Sequence, residues 1–179
     1  MFDGLIVGVV SGIVASACFS LFLLLVRPKI LLSDQICKSS SEPGVYRIKI
    51  INKSKAELNN VYYNLLYCRD EGDDIKVVDE IPPRKSRLYF IDKYHYFKKD
   101  EDYALRISYD IDEQKYPLNE KSYFEFNIIA NHSLSNTMKC VKKVYTQKDV
   151  LEGLFETGKS MKILRKNTIP VQTGTGISS

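Results

Sequence analysis

The chain has 179 residues, of which 26 are basic and 22 acidic, for a formal charge of +4 at pH 7. At 44% hydrophobic and 27% charged residues, it is neither a disordered chain nor a multi-spanning membrane protein. So small a surplus of positive charge does not by itself imply a nucleic-acid partner, and the length suits one domain rather than two large ones.

Apolar residues are unevenly spread. Gly4 to Val26 form an unbroken run without a charged side chain. As a helix this run rises about 35 Å against a hydrocarbon core of about 30 Å, which predicts a transmembrane anchor over residues 1–27. A secretory signal peptide would favour a basic start and an apolar stretch of roughly 7–15 residues. Asp3 precedes the run here and the run is longer, so a retained span is expected, ending at Pro28. Arg27 and Lys29 follow the span whereas Asp3 precedes it, which predicts a single-pass protein of the cell (inner) membrane with its C-terminal domain in the cytoplasm. Cys37, Cys68 and Cys140, an odd number without a secreted-scaffold spacing, agree with that side. Two glycosylation sequons, Asn52-Lys53-Ser54 and Asn131-His132-Ser133, point the other way.

The same segment carries small residues at every fourth position: Gly4, Gly8, Gly12, Ser16 and Ser20. Small residues let helix backbones approach closely where lipid is as apolar as leucine, so a helix-packing face is expected. The row drifts about 40° per step and forms a slanting stripe.

From Pro28 onward the period changes from helical to alternating. Val45–Asn52 puts Tyr46, Ile48 and Ile50 on one face, with Arg47 and Lys49 on the other. Tyr103–Ile111 alternates in the same way, and Val61–Cys68 reads as a strand covered on both faces. Ile30–Ile36, Ile75–Val78, Arg87–Ile91, Tyr123–Ala130 and Met138–Tyr145 make about eight strands, separated by turn-like stretches such as 39–44, 70–74 and Pro82-Pro83. Thr146 with Asp149 resembles a capping box, Val150, Leu151, Leu154 and Phe155 an apolar helix face, and Gly158 a stop. The expected fold class is mainly β: an N-terminal single transmembrane helix, then an antiparallel immunoglobulin-like β-sandwich with a C-terminal helix. Its parts are an anchor over 1–27, the sandwich over 28–158 and a basic tail over 159–179.

Chemistry is scarce. His95 and His132 are the only histidines, with no Cys-x-x-Cys, glycine-rich phosphate loop or nucleophile elbow, so no catalytic, cofactor or metal site is expected. The densest feature runs from Arg84 to Lys99. There Arg84, Lys85, Arg87, Lys93, Lys98 and Lys99 interleave with aromatics that include Tyr94 and Tyr96. Cations beside exposed aromatics can hold an anionic ligand or a lipid head, against the simpler reading of a strand followed by a solvated loop.

The uncharged span, Arg27-Pro28-Lys29, Ile30-Leu31-Leu32-Ser33 and the strand ending Ile50-Ile51-Asn52-Lys53-Ser54 together resemble small membrane-anchored β-domain effectors of bacterial anti-phage defence loci. That resemblance implies a spanning segment joined to a β-rich sensor, which damages the membrane when activated. In architecture the chain is also similar to the cytoplasmic domain of inward-rectifier potassium channels, without a selectivity filter or second span. The expected function is therefore non-enzymatic. The sandwich would bind a partner or ligand while the span, in contact with membrane lipid, assembles with copies of itself. The alternative is a structural or accessory subunit of a larger membrane complex, such as a channel or transporter.

Overall fold

The computed structural model describes residues 2–70, 75–85, 90–94 and 104–165. Helix α1 covers Phe2–Leu25 and is apolar on all sides. Its Ile6–Leu23 window has a mean hydropathy of 2.3, and none of that window is buried against the other described residues. The helix is long and apolar enough to cross a membrane.

Two sheets follow. The strands are β1 (Ile30–Leu32), β2 (Ile36–Ser39), β3 (Val45–Asn52), β4 (Leu58–Asp70), β5 (Ile75–Ile81), β6 (Phe90–Ile91), β7 (Ala104–Asp110), β8 (Ser122–His132), β9 (Met138–Tyr145), β10 (Val150–Phe155) and β11 (Ile163–Leu164). In the first sheet, β7 lies along one side of β3 and β1 and β2 along the other, followed by β10 and β11. The strand expected over Ile30–Ile36 is thus kinked: its register on β3 slips between Leu32↔Ile50 and Cys37↔Arg47. In the second sheet, β5 and β6 share one side of β4, with β8 and then β9 on the other. After β5 the chain changes sheets. Pro83 bridges to Tyr109, and the Arg84 N–H donates to the Ser108 carbonyl, on the side of β7 that β3 leaves open.

Alternation along the strands builds one core between the sheets. Tyr46, Ile48 and Ile50 from β3 join Ile107 and Tyr109 from β7 in the same buried cluster as Tyr63, Leu65 and Tyr67 from β4 and Phe124, Phe126 and Ile128 from β8. Edge-on ring contacts at centroid separations of 6.3 Å (Tyr46–Phe124) and 6.5 Å (Tyr109–Phe126) tie the layers together. Burial without a hydrogen-bond partner leaves the Tyr109 phenol strongly resistant to ionisation.

One expectation is corrected. Residues 150–155 are a strand, not a helix. The Asp149 carboxylate does accept from the Thr146 N–H and hydroxyl, each at 2.8 Å, but this caps a single 3₁₀ turn, Gln147–Asp149. Val150 to Gly153 then pair in parallel with Ile36 to Ser39. A helix would carry Gly153 in its interior, at about 1 kcal/mol relative to alanine, and would leave the β2 edge unpaired. Sheet pairing wins over the local pattern.

The far face of β3 is covered as well. Lys49 is only 1% exposed and Ile51 is fully buried, because the chain after β10 folds over them. The Lys49 ammonium donates to the carbonyls of Glu156 and Ser160, both at 2.7 Å. Met161 packs with Tyr94 against Ile51 and Ala104. Strand β11 pairs with β10 beyond residue 158, inside the stretch expected as tail.

Candidate membrane-proximal site

The end of the domain next to α1 is organised by Asn52, the last residue of β3. Its side chain is fully buried. The amide nitrogen donates to the carbonyls of Ala56 and Asp92, both at 3.0 Å, and the amide oxygen accepts from the Ser54 N–H at 2.8 Å. These bonds shape the turn from β3 to β4 and bind the 91–92 loop to it. The first sequon is therefore closed: an N-linked glycan on Asn52 is incompatible with this packing.

The same turn grips the residues after the helix. The Lys53 N–H donates to the Lys29 carbonyl at 2.7 Å, and the Lys29 N–H donates to the Ser54 hydroxyl at 2.8 Å. Opposite them the β8–β9 turn closes in, with the Ser135 hydroxyl 3.0 Å from His132 Nδ1, 2.7 Å from the Thr137 hydroxyl and 3.4 Å from the Val26 carbonyl. His132 is 1% exposed, and burial holds its imidazole below the ordinary value of 6.5, so it is neutral at pH 7.

Between the turns and the last turn of α1 lies a cleft of about 400 Å³. Phe22, Val26 and Leu134 give it an apolar wall, and Arg27, Lys29, Lys53 and Lys55 a cationic one. Among the described residues no carboxylate lines it, and none of the four cations forms an ion pair. Leu134 and Met138 are each 67% exposed beside it. Lys139 lines the adjoining cleft with Arg27 and Met138. The acid on this turn is Glu57, which does not line the cleft.

The residues singled out from the sequence are placed differently. Gly4, Gly8 and Gly12 form an open track, since a Cβ added at any of them would meet nothing within 4 Å. Ser16 and Ser20 donate to the carbonyls four residues before them, each at 2.8 Å, so their hydroxyls need no outside partner. The candidate anionic-ligand loop does not converge in its described part. Arg84 is paired at 2.5 Å with Glu42 and at 2.8 Å with Asp110, and it holds the Glu42 carboxyl below the usual range. Lys85 offers its carbonyl to the Tyr63 hydroxyl. Lys93 is exposed, and Tyr94 donates its N–H to the Ser54 carbonyl at the α1 end of the domain. Arg84 lies beside Ser108 and Tyr94 beside Ala104, four residues or about 13 Å apart at the rise of a strand. Arg87, Tyr96, Lys98 and Lys99 lie outside the described residues.

The cationic cleft is not legible as a site in the sequence, where Lys53 and His132 stand out as parts of sequons and Lys55 carries no motif. The usable signal was positional: Arg27, Lys29, Lys53 and Lys55 all flank strand ends that a meander returns to the same end of the domain. The four cysteines are free, and among the described residues no three His, Cys, Asp or Glu side chains come together. The geometry can hold an anion against an apolar wall. No protein-family model matches the chain, and no curated protein matches it.

Proposed function

We propose that this chain is a single-pass membrane protein that acts by binding rather than catalysis, with a cytoplasmic immunoglobulin-like β-sandwich and a span that assembles with copies of itself. One observation carries the reading: among the described residues nothing covers α1, and four cations without an ion pair gather where it meets the domain. A basic collar favours the leaflet rich in anionic lipid, on the cytoplasmic side. The closed sequon at Asn52 removes an argument for the opposite side. The immunoglobulin-like assignment is supported by strand order: residues 83–84, β7, β3 and β1/β2 against β5, β4, β8 and β9 correspond to D-E-B-A and C′-C-F-G.

Self-assembly is tested on the open track. Gly8→Leu with Gly12→Leu keeps the helix apolar while holding a neighbouring backbone away, so crosslinking of the full-length protein in membranes should fall by at least about fivefold. Val10→Leu with Val14→Leu should leave it near wild type. If the protein is a membrane-acting effector, leakage of a small dye from cells expressing it should fall with the crosslinks. Equal crosslinking of all three proteins would remove the span as the interface, and absence of self-crosslinks in wild type would favour the accessory-subunit alternative.

A further inference from the structure

We infer that the cleft at the foot of α1 is a binding site for the phosphate head of an anionic glycerophospholipid from the leaflet in which the span ends. The inference rests on the membrane-anchored reading and adds the ligand. Its walls are ordered as a lipid is ordered. Phe22, in the last turn of the apolar helix, and Val26, just after it, lie on the hydrocarbon side, and Arg27, Lys29, Lys53 and Lys55 on the side where headgroups begin. A free anion would use the cationic wall and leave the apolar one idle. The volume of about 400 Å³ is within the range of small-ligand sites.

The backbone beneath the cations is held in place, while their side chains are exposed. Reciprocal bonds from main-chain N–H groups join the turns of Lys29 and Lys53, and the buried Asn52 amide holds the segment carrying Lys53 and Lys55. Exposed Leu134 and Met138 beside the cleft suit the boundary between acyl chains and headgroups. Four cations along one wall make recognition depend on lipid charge and ionic strength.

The test uses full-length protein reconstituted in phosphatidylcholine vesicles doped with spin-labelled phosphatidylglycerol or spin-labelled phosphatidylcholine. Wild type should immobilise the anionic probe preferentially at low salt, with the preference shrinking at high salt. The double variant Lys53→Gln, Lys55→Gln should lose about fivefold or more of that preference. The variant Lys121→Gln, Lys148→Gln has the same change of net charge away from the cleft, and should retain the preference. Equal loss in both variants would reduce the effect to general basicity and overturn the site. Competition by soluble glycerol phosphate would overturn the lipid as its source. Alkaline carbonate extraction separates the two failures: protein released from the vesicles contradicts membrane anchoring itself, whereas protein retained without lipid preference contradicts only the site.

Discussion

Lys49→Ala is expected to destabilise the domain by about 3 kcal/mol and to free the segment that covers the first sheet. The ammonium is buried and donates to the carbonyls of Glu156 and Ser160 at 2.7 Å. Hydrogen bonds from a charged donor contribute about 1.5–3 kcal/mol each, offset in part by the cost of drying the charge. Truncation leaves both carbonyls with a lost donor and opens a cavity under them, the case in which buried polar contacts matter most. Unfolding of the full-length protein in detergent should show the lowered midpoint. Trypsin should cut at Lys162 or Arg165 before the rest of the domain opens. Lys49→Met keeps most of the stem and should fall between the two. An alanine variant within about 0.5 kcal/mol of wild type, with no new cleavage, would mean that the latch is incidental to stability.

Gly153→Ala should release β11 from β10. A Cβ at that position would collide with the Leu164 carbonyl oxygen and sit 2.9 Å from the Ile163 Cγ2. The carbonyl is main chain, so relief requires β11 itself to move, and forcing the contact costs roughly 1–3 kcal/mol. The pairs Leu154↔Leu164 and Phe155↔Ile163, and the bond from the Glu156 N–H to the Lys162 carbonyl at 2.9 Å, should then open. Hydrogen exchange would read this as faster exchange at Glu156 with unchanged protection across β3 and β7. Unchanged protection at Glu156 would contradict it.

These two positions also mark where sequence reasoning stops. The strands Val45–Asn52 and Met138–Tyr145 have the boundaries that their alternation and turn signals predict. β7 buries Ile107 and Tyr109 as its period requires. The far face of β3 is different. Alternation puts Arg47 and Lys49 on the face away from the core, and only the return of a distant segment, more than 100 residues later, buries Lys49 there. No local pattern carries that contact. At 150–155 the spacing of Val150, Leu151, Leu154 and Phe155 fits a helix and a strand alike, and the vacant edge of β2 decides between them. For the membrane-proximal site, the cations were visible one by one but not as a group. Asn52 joins them through a buried amide, and the sequence presented that amide as a glycosylation acceptor.

The account turns on the side of the membrane to which the domain belongs, and the native cysteines allow a direct measurement. Cys140 is exposed on β9, Cys37 and Cys68 are buried, and Cys18 lies within the apolar span. Burial also pushes the Cys37 thiol up to about 11, leaving it unreactive near neutral pH. A membrane-impermeant maleimide should therefore label Cys140 alone, without any engineered site. The predicted result is labelling in inside-out inner-membrane vesicles and none in intact spheroplasts, with labelling abolished by Cys140→Ser. Labelling of Cys140 in intact spheroplasts would place the domain outside the cytoplasm and contradict the account.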